Sequence, residues 1–142
     1  MKSYLKIAIV VVVLIGAAGV LIGLKLYFKK HIDTANAKPD YVITATALQK
    51  EFEGNETTAS AKYINKILEV SGSVASVTRA DSSNLNVALK TGSDMSSVIC
   101  TFTANSSASK FKTGDEITLR GECSGFLMDV LLNNCAVIPN QK

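Results

Sequence analysis

The chain has 142 residues with three Cys, one His and no Trp, and a formal net charge of +3. Five Lys and one acid, Asp33, fall in the first 37 residues, leaving ten basic and eleven acidic residues for the rest. The positive charge thus flanks an apolar run and forms no Lys/Arg stripe, which argues against an extended nucleic-acid surface and leaves a near-neutral domain large enough for one modest core.

The apolar run is IAIVVVVLIGAAGVLIGL, Ile7 to Leu24, 18 residues without a charge. As a helix it spans about 27 Å at ~1.5 Å per residue, close to the hydrocarbon thickness of a bilayer. Tyr4 and Tyr27 stand where interfacial aromatics belong, and Lys25 can snorkel. A buried soluble helix is disfavoured by size, because the run is apolar on every side and the remaining 105 residues could hardly enclose it. A cleaved signal peptide is the competing reading, because Ala35-Asn36-Ala37 has a small-x-small pattern. Against cleavage, the run is long for a signal peptide, and Lys25, Lys29, Lys30 and His31 separate it from the small residues. No Cys directly follows to carry a lipid. Residues 1–30 therefore read as an uncleaved transmembrane anchor. Lys2 and Lys6 nearly balance Lys25, Lys29 and Lys30, so charge alone barely orients it. An N-terminal signal-anchor would place the domain outside a bacterial membrane.

HIDTANAKP is polar and ends in Pro, so 31–40 reads as a linker. Asp40 is expected to cap a helix carrying Tyr41, Ala45, Leu48 and Phe52 on one face. Gly54 stops that helix, and Asn55 can cap a second one with Ala59 and Tyr63 at i, i+4. Beyond Lys66 the rhythm becomes that of strands. Ile67 to Thr78 is rich in β-branched residues, with Gly72 as a bend or bulge. Leu85 to Lys90, Val98 to Thr103, Glu116 to Cys123 and Asp129 to Ile138 complete five strands. Arg79 to Asn84 and Ser124 to Asp129 are expected as loops. Five short strands with a bent first strand, and an irregular piece between the third and fourth, suit an OB-fold, with an SH3-like barrel or small sandwich as the alternative. The fold class is thus α+β: an N-terminal transmembrane helix, then two short helices packed on a five-stranded OB-fold-like barrel (41–138) and a tail (139–142).

Glu51-Phe52-Glu53-Gly54-Asn55-Glu56, then Ala59, Lys62-Tyr63 and Lys66, then Val70-Ser71-Gly72-Ser73-Val74, resemble the start of a bacterial OB-fold family. Gly121, Cys123-Ser124-Gly125, Asp129-Val130 and Cys135 match its closing segment. The resemblance covers roughly residues 41–138, and the family's name translates as "tRNA anticodon-binding-like". That name records a likeness of fold, and the members are mostly exported, lipid- or membrane-anchored proteins of unassigned function. The resemblance implies a fold and a location, and no catalytic residue.

The residues themselves offer little for catalysis. The only His, His31, stands beside the anchor, so no Ser-His-Asp or Cys-His pair can form. The nine Gly form no phosphate loop. Asp115 and Glu116 are neighbours on a strand and face opposite sides. Cys100, Cys123 and Cys135 lack metal-ligand spacing, and no metal or cofactor is expected. Single-strand binding would use outward positions on the second and third strands, here Asn84, Asn86, Ala88, Lys90, Ile99, Thr101 and Thr103, with one Lys and no aromatic.

The remaining expectation is a non-catalytic binding or interaction module of the cell envelope, its partner an envelope protein or small ligand. A cytoplasm-facing nucleic-acid-binding domain is the alternative. OB-folds bind through the loops after the first and fourth strands, which makes Arg79, Asp81, Phe126 and Met128 the candidate ligand-binding residues. Phe126 reads equally as a plug for one barrel end, and Asn55, Glu56, Lys62 and Tyr63 as capping plus a helix-to-barrel contact. Cys123 and Cys135 could form a disulfide in an oxidising compartment. A hairpin turning near Phe126 would set them apart by about 13 Å, so bonding requires a long loop or a bulge at Asn133-Asn134. Cys100–Cys135 and three free thiols are the competing readings.

Overall fold

The computed structural model describes residues 2–27, 33–103 and 106–139. The flank Phe28 to His31, with Lys29 and Lys30, lies outside the described residues, as does the tail beyond Pro139. The chain forms two units, divided after His31. The first is one helix, α1 (Lys2–Tyr27), in which Ser3–Lys25 is long and apolar enough to cross a membrane.

The second unit contains β1 (Tyr41–Thr44), α2 (Ala45–Gly54), α3 (Glu56–Tyr63), β2 (Ile67–Arg79), β3 (Asn84–Lys90), β4 (Ser97–Thr103), a 3-10 turn (Ser107–Lys110), β5 (Glu116–Leu127) and β6 (Asp129–Ile138). The sheet runs β1-β2-β3-β4-β6-β5, and β5 pairs back onto β2 to close a five-stranded barrel. Closure depends on the length of β2. Its first half, Ile67 to Ser73, pairs antiparallel with β5, and its second half pairs with β3 from Val74 onward. The register shift lies between Val74 and Ser76. Gly72 serves a different need: a Cβ there would lie 3.1 Å from the Ala45 Cβ, so the bare backbone lets the start of α2 rest on the bend. The parallel pairing of Val98–Cys100 with Val130–Leu132 completes the circuit. Alternation along every barrel strand sends Leu68, Val70, Val87, Leu89, Val98, Phe102, Leu119 and Leu132 inward. Asn86 and Thr101 stay outside, where the Thr101 Oγ1 donates to the Asn86 Oδ1 at 3.0 Å.

Two expectations about local structure are corrected. Asp40 caps no helix, and Tyr41 lies on a strand. The Asp40 N–H donates to the Ile67 carbonyl at 2.8 Å, and its Oδ2 accepts from the Ile67 N–H at 2.9 Å, pinning β1 parallel to β2. Thr44 is the cap, its hydroxyl accepting from the Ala47 N–H at 3.2 Å. The cause is tertiary: β2 offers an open edge, and the β-branched Val42, Ile43 and Thr44 meet it at little conformational cost. The second correction concerns Ser124 to Asp129. This is no open loop, because β5 and β6 pair up to Leu127 and Asp129, with Met128 alone at the tip in the left-handed region (φ 68°). Asn55 acts as expected, accepting from the Thr58 N–H at 3.0 Å while its own N–H closes α2 on the Glu51 carbonyl.

The stretch expected as a linker is held on the barrel from Thr34 onward. Thr34 is buried and donates its hydroxyl to the Asn134 carbonyl. Arg120 pairs with Glu69 at 2.8 Å and donates to the Ala35 and Ala37 carbonyls.

Candidate binding groove

Helix α2 closes one end of the barrel with Ala45, Leu48, Gln49 and Phe52, all buried on one face. The β3–β4 loop and the β5–β6 turn lie at that same end. Phe126 is half-buried and stacks on Phe52, with ring centroids 5.2 Å apart and planes 20° apart. It therefore belongs to the plug and also shows one side to solvent. Leu127 and Met128 follow at the turn, 79% and 65% exposed, and Met95 from the facing loop is 80% exposed. These four line an open groove of about 810 Å³ together with Glu53, Glu56, Ser93 and Ser96.

Polar contacts fix the groove's frame. Gln49 is only 1% exposed, and its Nε2 donates to the Met128 carbonyl at 2.8 Å and to the Glu53 Oε1 at 3.0 Å. The same Glu53 oxygen accepts from the Ser96 hydroxyl at 3.0 Å, so one buried amide joins α2, the turn tip and the facing loop. The Gln49 Oε1 is buried and has no hydrogen-bond partner among the described residues. Asp129 accepts from the Ser97 N–H at 2.7 Å and its hydroxyl at 2.9 Å, which sets the height of β6 against β4.

Of the candidate ligand-binding residues, the groove brings together Phe126 and Met128. Arg79 and Asp81 lie at the other end, because Asn84 pairs with Thr103 whereas Lys90 pairs with Ser97. Asp81 is occupied locally: its Oδ1 accepts from the Ser83 and Asn84 N–H groups, and its Oδ2 from the Asn84 amide at 3.0 Å. The Asn84 amide and these N–H groups hold its carboxyl below the ordinary aspartate value. Glu53, Glu56, Met95, Ser96 and Leu127 also line the groove and were not among the candidate ligand-binding residues. A large apolar residue inside the polar turn TGSDMSS was the available signal for Met95, and Gln49 was legible on the apolar face of α2.

The Lys62-Tyr63 element ties the helices together. The Glu51 Oε2 accepts from the Tyr63 hydroxyl at 2.8 Å and from the Lys62 Nζ at 3.0 Å. Lys62 also lies over the Tyr63 and Tyr41 rings, 4.6 and 5.5 Å from their centroids. The Tyr63 hydroxyl and Glu51 carboxylate push the Lys62 ammonium up to about 12.

The bulge that would have to lie at Asn133-Asn134 is present, since Glu122 pairs with Asn133 while Arg120 pairs with Ala136, and Asn134 has φ 52°. It does not join Cys123 to Cys135. Cys123 lies opposite Leu132, and Cys135 turns toward Gly121, where a Cβ would come within 2.6 Å of its sulfur. All three cysteines are buried free thiols. Burial pushes Cys123 up to about 11, and burial followed by the neighbouring Cys135 thiol pushes Cys100 up as well. Among the described residues no three His, Cys, Asp or Glu side chains converge as a metal site.

A closed five-stranded barrel capped at one end by a helix, preceded in the chain by an apolar helix, defines an OB-fold domain. The chain belongs to the tRNA_anti-like family, whose model matches residues 1–137. No curated protein matches the sequence. Among solved structures, a lipoprotein from Klebsiella pneumoniae subsp. pneumoniae MGH 78578, named as a candidate nucleic acid-binding protein, is similar in fold. The TM-score is 0.53 at 19% identity, over 68% of this chain and 90% of that one. With the asparaginyl-tRNA synthetase of Entamoeba histolytica the TM-score is 0.44 at 10% identity, over 74% of this chain and 25% of that one.

Proposed function

We propose that the protein is a non-catalytic binding module of the bacterial cell envelope. In this reading α1 is an uncleaved single-pass membrane anchor, the domain faces the extracytoplasmic side, and the groove at the α2 end is its binding site. The carrying observation is the groove itself. Among the described residues of the second unit, five large apolar side chains are exposed, and three of them (Met95, Leu127 and Met128) converge there on a frame fixed by Gln49. Arg79 and Asp81 become structural residues of a hairpin under this reading.

Two measurements test it. A phosphatase reporter fused after Lys142 is expected to be active, and activity confined to a cytoplasmic reporter would overturn the orientation. A photo-crosslinking amino acid at Leu127 is expected to give a discrete adduct in intact cells, while one at Arg79 gives none. No adduct at Leu127 would remove the groove as the site.

A second reading, a cytoplasm-facing nucleic-acid-binding domain, draws on the name of the Klebsiella lipoprotein. It would use the outer face of β3 and β4, where Lys90 is the only base among Asn84, Asn86, Ala88, Lys90, Ile99, Thr101 and Thr103. Titration with oligo(dT) distinguishes it: binding that weakens steeply with salt supports this reading, and flat titrations remove it.

A further inference from the structure

We propose that the groove's partner is a peptide segment combining aliphatic side chains with Lys or Arg, an inference that rests on the groove being the binding site. The lining supplies both halves of the chemistry. Its apolar part is Met95, Phe126, Leu127 and Met128, and its charged members, Glu53 and Glu56, are both acidic. Glu53 spends one oxygen on Gln49 and Ser96. Glu56 makes no ion pair or side-chain hydrogen bond among the described residues, and no lining residue is basic. A bound cation beside an apolar floor would find those carboxylates across a partly desolvated gap, where an ion pair is stronger than in bulk water.

The form of the partner follows from exposure. A small molecule needs a site that encloses most of its surface. Met95, Leu127 and Met128 project into solvent at 80%, 79% and 65% exposure, so they can cover one face of a longer segment and enclose nothing small. Two flexible thioethers among them suit side chains of varied shape, as methionine does on adaptable binding surfaces. An anionic membrane surface fits less well. Glu53 and Glu56 would be pushed against lipid phosphates, and the groove has no Lys, Arg, Trp or Tyr to hold a headgroup.

The test uses the full chain in nanodiscs of zwitterionic lipid and three short fluorescent peptides, alternating Leu/Lys, Leu/Glu and Ser/Lys, followed by anisotropy. Saturable binding is expected for Leu/Lys alone. Leu127→Ser should weaken it by about tenfold, and Glu56→Lys should shift the preference toward Leu/Glu. Both positions are exposed, and an unchanged thermal midpoint would show that the variants fold. Equal binding of Ser/Lys, equal binding of Leu/Glu, or an unaltered preference in Glu56→Lys would each overturn the proposal. So would quenching of a dye on Leu127→Cys by nitroxide lipids with no competition from the Leu/Lys peptide, which would make the membrane the occupant. A crosslinked adduct at Leu127 in cells with a flat peptide panel refutes this partner chemistry alone. Absence of the adduct refutes the groove itself.

Discussion

The two ends of the barrel are built by different means. At the far end the β2–β3 hairpin is held by Asp81, which bonds residues two and three positions ahead, and the nearby 3-10 turn places Ala108 in the core. At the α2 end the β5–β6 turn is held by Gln49, 79 residues away in sequence, and by Asp129, which reaches back 32 residues to Ser97. A turn that closes on itself can form before the rest of the domain and tolerates local change. A turn that also takes distant side-chain contacts gains them only when the barrel is closed, and those contacts aim its tip. The exposed apolar groups of the domain gather mainly at this second kind of end.

The difference can be broken most forcefully at Phe52. Phe52→Ala removes a fully buried ring from the plug and the stacking partner of Phe126, and should cost about 3–5 kcal/mol in chemical denaturation. Loss below about 1 kcal/mol would mean that α2 caps the barrel only loosely. Gly121→Ala comes next. The added methyl would meet the Cys135 sulfur, and the expected loss is about 1–3 kcal/mol, largely restored in Gly121→Ala/Cys135→Ala. Failure of the double variant to recover would place the clash elsewhere. Gln49→Leu removes the amide that donates to the Met128 carbonyl at the turn and to Glu53, and should cost about 1–2 kcal/mol, with faster amide exchange confined to the α2 end. Equal acceleration at the β2–β3 hairpin would contradict the independence of the two ends.

The smallest effect belongs to Asp81. Its carboxyl titrates lower in the folded protein than in the unfolded chain, because the Asn84 amide and the hairpin N–H groups bind the charged form. The stabilisation is therefore present at neutral pH and lost as pH falls through the folded-state value. Thermal midpoints of wild type and Asp81→Ala should differ at pH 7 and converge in acid, and a difference that persists at the lowest pH would refute the role assigned to the carboxylate.

The strands of the barrel were legible because burial on one side imposes a period of two, and β3, β4 and the first eight residues of β5 follow it closely. The helix pair was legible from Gly54-Asn55, where one side chain caps α3 and the same backbone ends α2. The start of α2 was not. Asp40 and Thr44 are both competent caps, and the choice fell to Thr44 because the intervening residues found a partner on the edge of β2. Phe126 and Met128, expected from the general behaviour of OB-fold loops, line the groove. Arg79 and Asp81 came by the same route, yet the register places them at the opposite end.

By itself the sequence determined whatever depends on neighbours along the chain: an apolar helix long enough for a bilayer, five alternating strands, the Asn55 cap and the polar turns. Only the tertiary structure decided what depends on pairing across the barrel. The bulge that turns Cys135 toward Gly121, the tight turn at Met128 and the meeting of Met95 with Leu127 over Glu53 and Glu56 are such features. Periodicity tells which side of a strand is buried, but the height at which two strands meet is set by contacts between residues far apart in sequence.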